Sequence, residues 1–228
     1  MNENPWQDLN NRIVACVRCP RLVEWREEVS RVRRRAYQDF EYWGKPVPGL
    51  GDRQARVLVV GLAPGAHGAN RTGRLFTGDG SGEFLFRALY AAGFANQPVA
   101  RQRDDGLELN NMFISAICRC APPKNKPTQE EISNCLPYLE EELALLPSLA
   151  VVVVLGRIAF DNTLRLFRQQ GFGIPKLEFS HGAEYSLGEG LPRMVVSYHP
   201  SRQNTQTGLL TEAMFVEIWD KVNAILQK

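Results

Sequence analysis

RVLVVGLAPGAHGANRTGRLFTGDGSG, residues 56–82, decides the architecture. Residues 57–60 are apolar without alternation, the pattern of a strand buried on both faces, and such strands occur where helices cover both sides of a parallel sheet. A glycine-rich loop then opens at Gly61. Loops of this kind after a strand usually suggest a nucleotide phosphate cradle, but Pro64 and the lack of a following GK[ST] weigh against one here. This loop also carries His67, Arg71, Arg74, Phe76 and Asp79, side chains with chemistry of their own.

Outward from this stretch, hydrophobic periodicity predicts a strand over 56–61, a helix over 81–92, a strand over 109–117, a helix over 128–146, a strand over 149–155, a helix over 156–170, a strand over 194–198 and a closing helix over 210–226. That alternation means parallel strands joined by right-handed helical crossovers, an α/β fold with helices on both faces. Thr128 and Glu131 fit a capping box behind Pro127. Residues 1–45 read as polar and helical, with a stripe through Trp6, Leu9, Ile13, Val14, Val17, Leu22 and Trp25 that is broken at Cys19-Pro20. A Pro/Gly-rich connection follows over 44–52. Ligands in such sheets bind beyond the carboxyl ends of the strands, which brings the loops at 62–79, 119–127 and 199–208 together.

With 228 residues, 44% of them hydrophobic, the chain is expected to form one domain, 1–228, in which 1–50 is an N-terminal helical segment. The longest apolar run, 149–155, is too short to span a bilayer, and the N-terminus lacks the order of a signal peptide, so a cytoplasmic protein with no membrane contact is expected. A net charge of +2 excludes a polycation. The arginines at 26, 31, 33, 34 and 35 fit either a solvated helix face or a phosphate-contacting surface.

Five cysteines in a cytosolic chain argue against a disulfide scaffold and toward metal binding. Cys16 and Cys19 form a C-x2-C pair beside a proline, and Cys120 and Cys135 bracket a distant segment. Four thiolates suit either tetrahedral zinc or a four-iron, four-sulfur cluster, and spacing does not separate the two. Cys118 is a fifth candidate, two residues before Cys120. Buried free thiols are the plain alternative.

GLAPGAHGANRTGRLFTGD, CRCAPPKNKPTQEEISNC and HPSRQNTQTG together resemble the uracil-DNA glycosylase superfamily, most closely its family 5, the type b enzymes. The resemblance implies a three-layer sandwich with a central four-stranded parallel sheet and a structural [4Fe-4S] cluster on the N-terminal side. Its ligands would be Cys16, Cys19, Cys120 and Cys135, with Cys118 an ordinary packed residue. It also implies a monomer acting on damaged, double-stranded DNA.

A glycosylase must extract a base from the stack, hold it and break its bond to the sugar. The resemblance gives Phe76 the stacking platform, where an aromatic contributes about 1–3 kcal/mol per base. Ala116 stands where many superfamily members carry an Asn that reads the uracil edge, which hands base contact to Asn125. His199 matches the superfamily's catalytic histidine, a donor to the base oxygen on which charge develops. Ala63 occupies the position of the usual water-positioning residue, leaving that role to Asp79, although a turn or N-cap would explain an Asp there as well. Ala63 and Gly65 bring backbone amides to sugar or base. Ser201, Arg202 and Asn204 grip the substrate strand, with Arg202-Gln203 at the superfamily's wedge, and Arg71 and Arg74 are candidates for phosphate contact.

The expected activity is hydrolysis of uracil from DNA to leave an abasic site, without strand cleavage, and with tolerance of hypoxanthine and xanthine. A noncatalytic iron–sulfur module that binds DNA or senses damage would keep the basic and aromatic surfaces but need neither His199 nor Asp79. A nucleotide-binding regulatory domain would rest on the glycine loop alone.

Overall fold

The computed structural model describes residues 4–227. In chain order the elements are α1 (Pro5–Val14), α2 (Pro20–Val32), β1 (Leu50–Gly51), β2 (Val57–Gly61), α3 (Ala69–Thr72), α4 (Gly80–Ala91) and β3 (Met112–Ala116). They continue with α5 (Gln129–Ala144), β4 (Val151–Leu155), α6 (Arg157–Gln169), β5 (Glu184–Tyr185), β6 (Arg193–Ser197), α7 (Arg202–Gln206) and α8 (Glu212–Leu226). Turns of 3-10 helix cover Arg35–Tyr37 and Pro123–Asn125.

The sheet runs β1-β3-β2-β4-β6-β5. It corrects the expected four-stranded parallel sheet to a mixed one of six strands. The inner four pair parallel, and the two outer strands pair antiparallel with β3 and β6. Each outer strand is two residues long, too short to leave a period in the sequence, and such short edges limit pairing with other chains.

Successive strand residues point to opposite faces, and here both faces are covered. Val57, Val59, Val151 and Val153 enter one core with Leu85, Phe86 and Leu89 of α4 and Phe215, Ile218 and Trp219 of α8. Leu58, Val60, Val152 and Val154 enter the other with Ile132, Leu136 and Leu139 of α5 and Phe160, Leu164 and Phe167 of α6. Full burial of each such aliphatic side chain contributes about 1.5–3 kcal/mol. The capping box forms at the head of α5: Glu131 N–H donates to Thr128 Oγ1 at 3.2 Å and Thr128 N–H donates to Glu131 Oε2 at 2.7 Å.

The N-terminal segment is α-helical only to Val32. The chain breaks between α1 and α2, where Cys16 and Cys19 sit, Arg33 and Arg34 lie beyond the end of α2, and Arg35 opens the 3-10 turn that follows. On α1, Leu9 and Ile13 pack against Tyr138 of α5, and Arg12 forks onto Glu141 at 2.9 and 2.5 Å. Arg21 of α2 forks onto Glu131 at 2.7 and 2.6 Å. The buried stripe of α2 is Leu22, Arg26 and Val29, so an arginine occupies a core position, whereas Val17 is 67% exposed.

From β2 the chain passes to β3 on one side and then to β4 on the other, so the strand order switches direction at β2. Crevices form at such switch points. No helix among the described residues is long and apolar enough to cross a membrane.

Candidate active site and cysteine cluster

A cleft of about 530 Å³ opens at the carboxyl ends of β2, β3 and β6, a size within the ~300–1,000 Å³ of small-molecule sites. Phe76, Asp79, Asn125 and His199 line it together with Ala63, Gly65, Ser201 and Arg202. Asn204 is not among the lining residues. Its Nδ2 donates to the His199 carbonyl at 2.8 Å and its N–H donates to Ser201 Oγ at 3.3 Å, so it braces the loop that carries His199.

Phe76 has φ +52°, in the left-handed region that a bulky residue rarely adopts. Two glycines make the pose possible. A Cβ on Gly61, the last residue of β2, would stand 2.7 Å from Phe76 Cζ, and one on Gly82 would run into the Phe76 carbonyl. Strain of this kind persists where surrounding structure enforces it, and it clusters at ligand clamps. The consequence is an aromatic ring over the end of β2, stacked near the His199 ring with centroids 6.0 Å apart and an interplanar angle of 27°.

His199 follows the last strand. Its carbonyl accepts from Ser201 N–H at 2.8 Å as well as from Asn204. Gly156, with φ +92°, lets the loop after β4 pass close by: a Cβ there would lie 3.2 Å from His199 Cβ. Burial alone pushes the imidazole down to about 4. At neutral pH the ring is therefore uncharged, with one N–H to donate and no proton to spare.

Asp79 is the N-cap of α4, its Oδ1 accepting from Gly82 N–H at 3.0 Å. The cap does not exhaust the carboxylate. Oδ2 projects across the glycine loop, where a Cβ on Gly65 would stand 2.8 Å from it and one on Gly68 would overlap it. Burial raises the Asp79 carboxyl above the usual range, against the lowering effect of the amides at the head of α4. Gly68→Ala is expected to displace the carboxylate and lower activity while the sheet and helices stay intact, read as a fall in kcat with an unchanged circular dichroism spectrum.

Asn125 lies exposed at the rim, and it and Lys124 both have positive φ, 55° and 54°. Lys124 also lines the cleft, a residue the sequence did not single out. Ala116, at the end of β3, offers the cleft only a methyl group. Arg71 and Arg74 are corrected from phosphate contacts to internal braces. Arg71 donates to the carbonyls of His67 and Gly78 and lies over the Tyr37 ring at 4.2 Å. Arg74 forks onto Asp105 at 2.7 and 2.8 Å. Both are buried, because the loop folds back on itself around them.

On the other side of the glycine loop, Cys16, Cys19, Cys120 and Cys135 surround one small void, with Arg26 and Arg119. Arg26 Nη1 donates to Cys120 Sγ at 3.0 Å, and Asn134 Nδ2 donates to Cys19 Sγ at 3.6 Å. Among the described residues no three His, Cys, Asp or Glu side chains converge closely enough to hold a single metal ion. Cys118 belongs to the core between the sheet and α5 and does not line the void. Asn70 of α3 donates to the Arg26 carbonyl at 3.3 Å, so the helix beside the cysteines touches the loop that builds the cleft.

The family model of the uracil DNA glycosylase superfamily matches residues 48–223. A type-5 uracil-DNA glycosylase of Thermus thermophilus is 52% identical over 206 residues, 90% of this chain and 91% of its own. One of Pyrobaculum aerophilum is 47% identical over 93% of this chain and 90% of its own. A type-4 uracil-DNA glycosylase of Sulfurisphaera tokodaii is 28% identical over 71% of this chain and 67% of its own. Among solved structures, wild-type Pedobacter heparinus SMUG2 shares the fold, with a TM-score of 0.50 and 16% identity over 77% of each chain. With the glycine loop, the cleft at the sheet's switch point and half of its residues shared with type-5 relatives along nearly its whole length, the chain belongs to the uracil DNA glycosylase superfamily, in its type-5 branch.

Proposed function

We propose that this protein is a monofunctional DNA glycosylase that removes uracil, and with it hypoxanthine and xanthine, from duplex DNA by hydrolysis of the N-glycosidic bond. The observation that carries this is the convergence of Phe76, His199 and Asp79 on one cleft. A base flipped into the cleft stacks on Phe76. Bond cleavage leaves negative charge on the departing base, and the neutral His199 imidazole donates a hydrogen bond to it. Asp79 Oδ2 holds a water for attack on the sugar carbon and takes its proton, a task for which a carboxylate with a raised pKa is suited. The water oxygen ends on the sugar, which becomes the abasic product, and the base leaves as its anion and is protonated afterwards.

The breadth follows from what the cleft omits. Ala116 supplies no amide to read the base edge, and Asn125 reaches in from an exposed turn rather than from a strand. Such a site discriminates less sharply than one with buried, preset polar groups. Arg202 at the mouth of the cleft meets the DNA strand, which makes binding weaken as salt rises.

The four cysteines around the void are the ligands of a structural [4Fe-4S] cluster. Four cysteine sulfurs around one void are the donor set that such a cluster takes. When bound, the cluster supplies a cross-link between the α1–α2 break, the segment after β3 and α5. Hydrolysis itself requires no electron.

The test is incubation of duplexes containing uracil, hypoxanthine or xanthine with the purified protein, followed by alkali. Strand breaks at all three bases are expected. Intact strands with stoichiometric protein would overturn the reading in favour of a noncatalytic binder, and breaks at uracil alone would overturn the breadth. A brown protein containing iron and acid-labile sulfide is expected; a colourless zinc protein would sink the cluster.

A further inference from the structure

We propose that Arg26 and Arg119 are the charge-compensating and positioning residues of the cysteine site, and that they set how firmly the cluster is held and at what potential it is reduced. This rests on the cluster reading above. Arg26 is only 4% exposed and Arg119 only 1%, and both face the void. No carboxylate pairs with Arg26 among the described residues: its Nη1 donates to Cys120 Sγ at 3.0 Å and to the Cys16 carbonyl at 3.3 Å, and its Nε has no partner. Arg119 Nη2 donates to Glu142 Oε2 at 2.6 Å, while its Nε and Nη1 have none.

A guanidinium out of water without an anion is strongly destabilising. Arg26 is such a group, and Arg119, though paired with Glu142 through Nη2, keeps two buried donors unmet; beside four thiols they point to an anionic guest larger than the thiols themselves. A thiolate-ligated iron–sulfur cluster carries net negative charge and has sulfides that accept hydrogen bonds, which answers the unpaired Nε of Arg26 and the Nε and Nη1 of Arg119. Glu142 is the counterweight. It also accepts from Ser115 Oγ at 2.5 Å, and by holding one edge of Arg119 it offsets part of that positive charge. Reduction adds negative charge, so nearby cations and donors to sulfur favour the reduced cluster and raise its potential.

The electrostatic sign gives two tests that general damage to the fold cannot imitate. In anaerobically purified full-length protein, Arg26→Gln removes a positive charge and is expected to move the potential, measured by voltammetry, to a more negative value. It should also speed bleaching of the visible absorbance by an iron chelator roughly 10–100-fold, the range seen when partners of metal ligands are removed. Arg26→Lys should recover part of both effects. Glu142→Gln, which keeps the shape and the Ser115 contact, should move the potential in the opposite direction. Unchanged potential and bleaching in Arg26→Gln, or a shift of the same sign in both variants, would overturn the proposal. If Arg26→Gln cannot be isolated folded, Glu142→Gln decides alone, and the absence of a positive shift overturns it. A wild-type protein without iron and sulfide defeats the cluster reading itself, a result distinct from iron-loaded variants with unchanged potentials.

Discussion

Replacing His199 with alanine is expected to lower kcat for uracil release by roughly 10²–10³-fold, the loss seen when one preorganised donor to a developing oxyanion is removed. KM should change little, because the donor acts on charge that appears only as the bond breaks. The imidazole suits the proposed part because it is neutral. Burial holds it at about 4, so a proton is absent through the physiological range and the ring donates without transferring. The kcat/KM profile should accordingly show no inflection from His199 near the ordinary value of about 6.5. The same shift has a stability sign. A histidine whose folded pKa lies below its unfolded value takes up its proton more readily when unfolded. Stability is therefore fully present above about 6.5 and is lost as pH falls toward 4. His199→Ala should abolish that part of the loss, so the variant gains on the parent between pH 7.5 and 5 in denaturant midpoints. A ring titration near 6.5 by nuclear magnetic resonance would contradict both expectations.

The features legible in the sequence were those that burial imposes on long segments. β4 is an unbroken apolar run because helices cover both its faces, and α5 announces its start through Thr128 and Glu131. The cleft was legible for a related reason: loops after parallel strands share one end of the sheet, so Phe76, Asp79 and His199 had to approach one another. Arginines were the main illusion. Arg71, Arg74 and Arg26 look like surface charges in a sequence, but a guanidinium has several donors and can be buried wherever carbonyls, carboxylates or thiolates surround it. Only the spacing of Leu22, Arg26 and Val29, which sets an arginine on an apolar helical stripe, carried a signal. Asn204 differs, since a polar residue in the His199 loop can face either the ligand or the backbone, and its amide nitrogen reaches the His199 carbonyl. The two-residue outer strands and the four-residue α3 are held by neighbours rather than by local preference, so their residues show no period.

Asp79 offers the sharper separation of structure from chemistry, because Oδ1 caps α4 while Oδ2 carries the proposed role toward water. Asp79→Asn keeps an oxygen to accept from Gly82 N–H and keeps the volume that Gly65 and Gly68 accommodate, so the head of α4 should stay capped. It loses the base proposed to take the proton from water. The expected result is a kcat lower by roughly 10²–10⁴-fold, the usual contribution of a positioned general base, with thermal stability equal to or slightly above the parent's. The gain has a physical source: burial raises the folded carboxyl above its unfolded value, so the ionised form is disfavoured at neutral pH and that penalty is relieved as pH falls. Asp79→Ala removes cap and base together and should lose a further ~0.5–2 kcal/mol of stability. In the parent, kcat/KM should rise with pH through a pKa above the ordinary aspartate value, and this acid limb should vanish in Asp79→Asn. Near-parental turnover in Asp79→Asn would mean that the carboxylate is a cap and nothing more. The glycines at 65 and 68 would then be explained by helix capping, and the attacking water would have to be held by another group in the cleft.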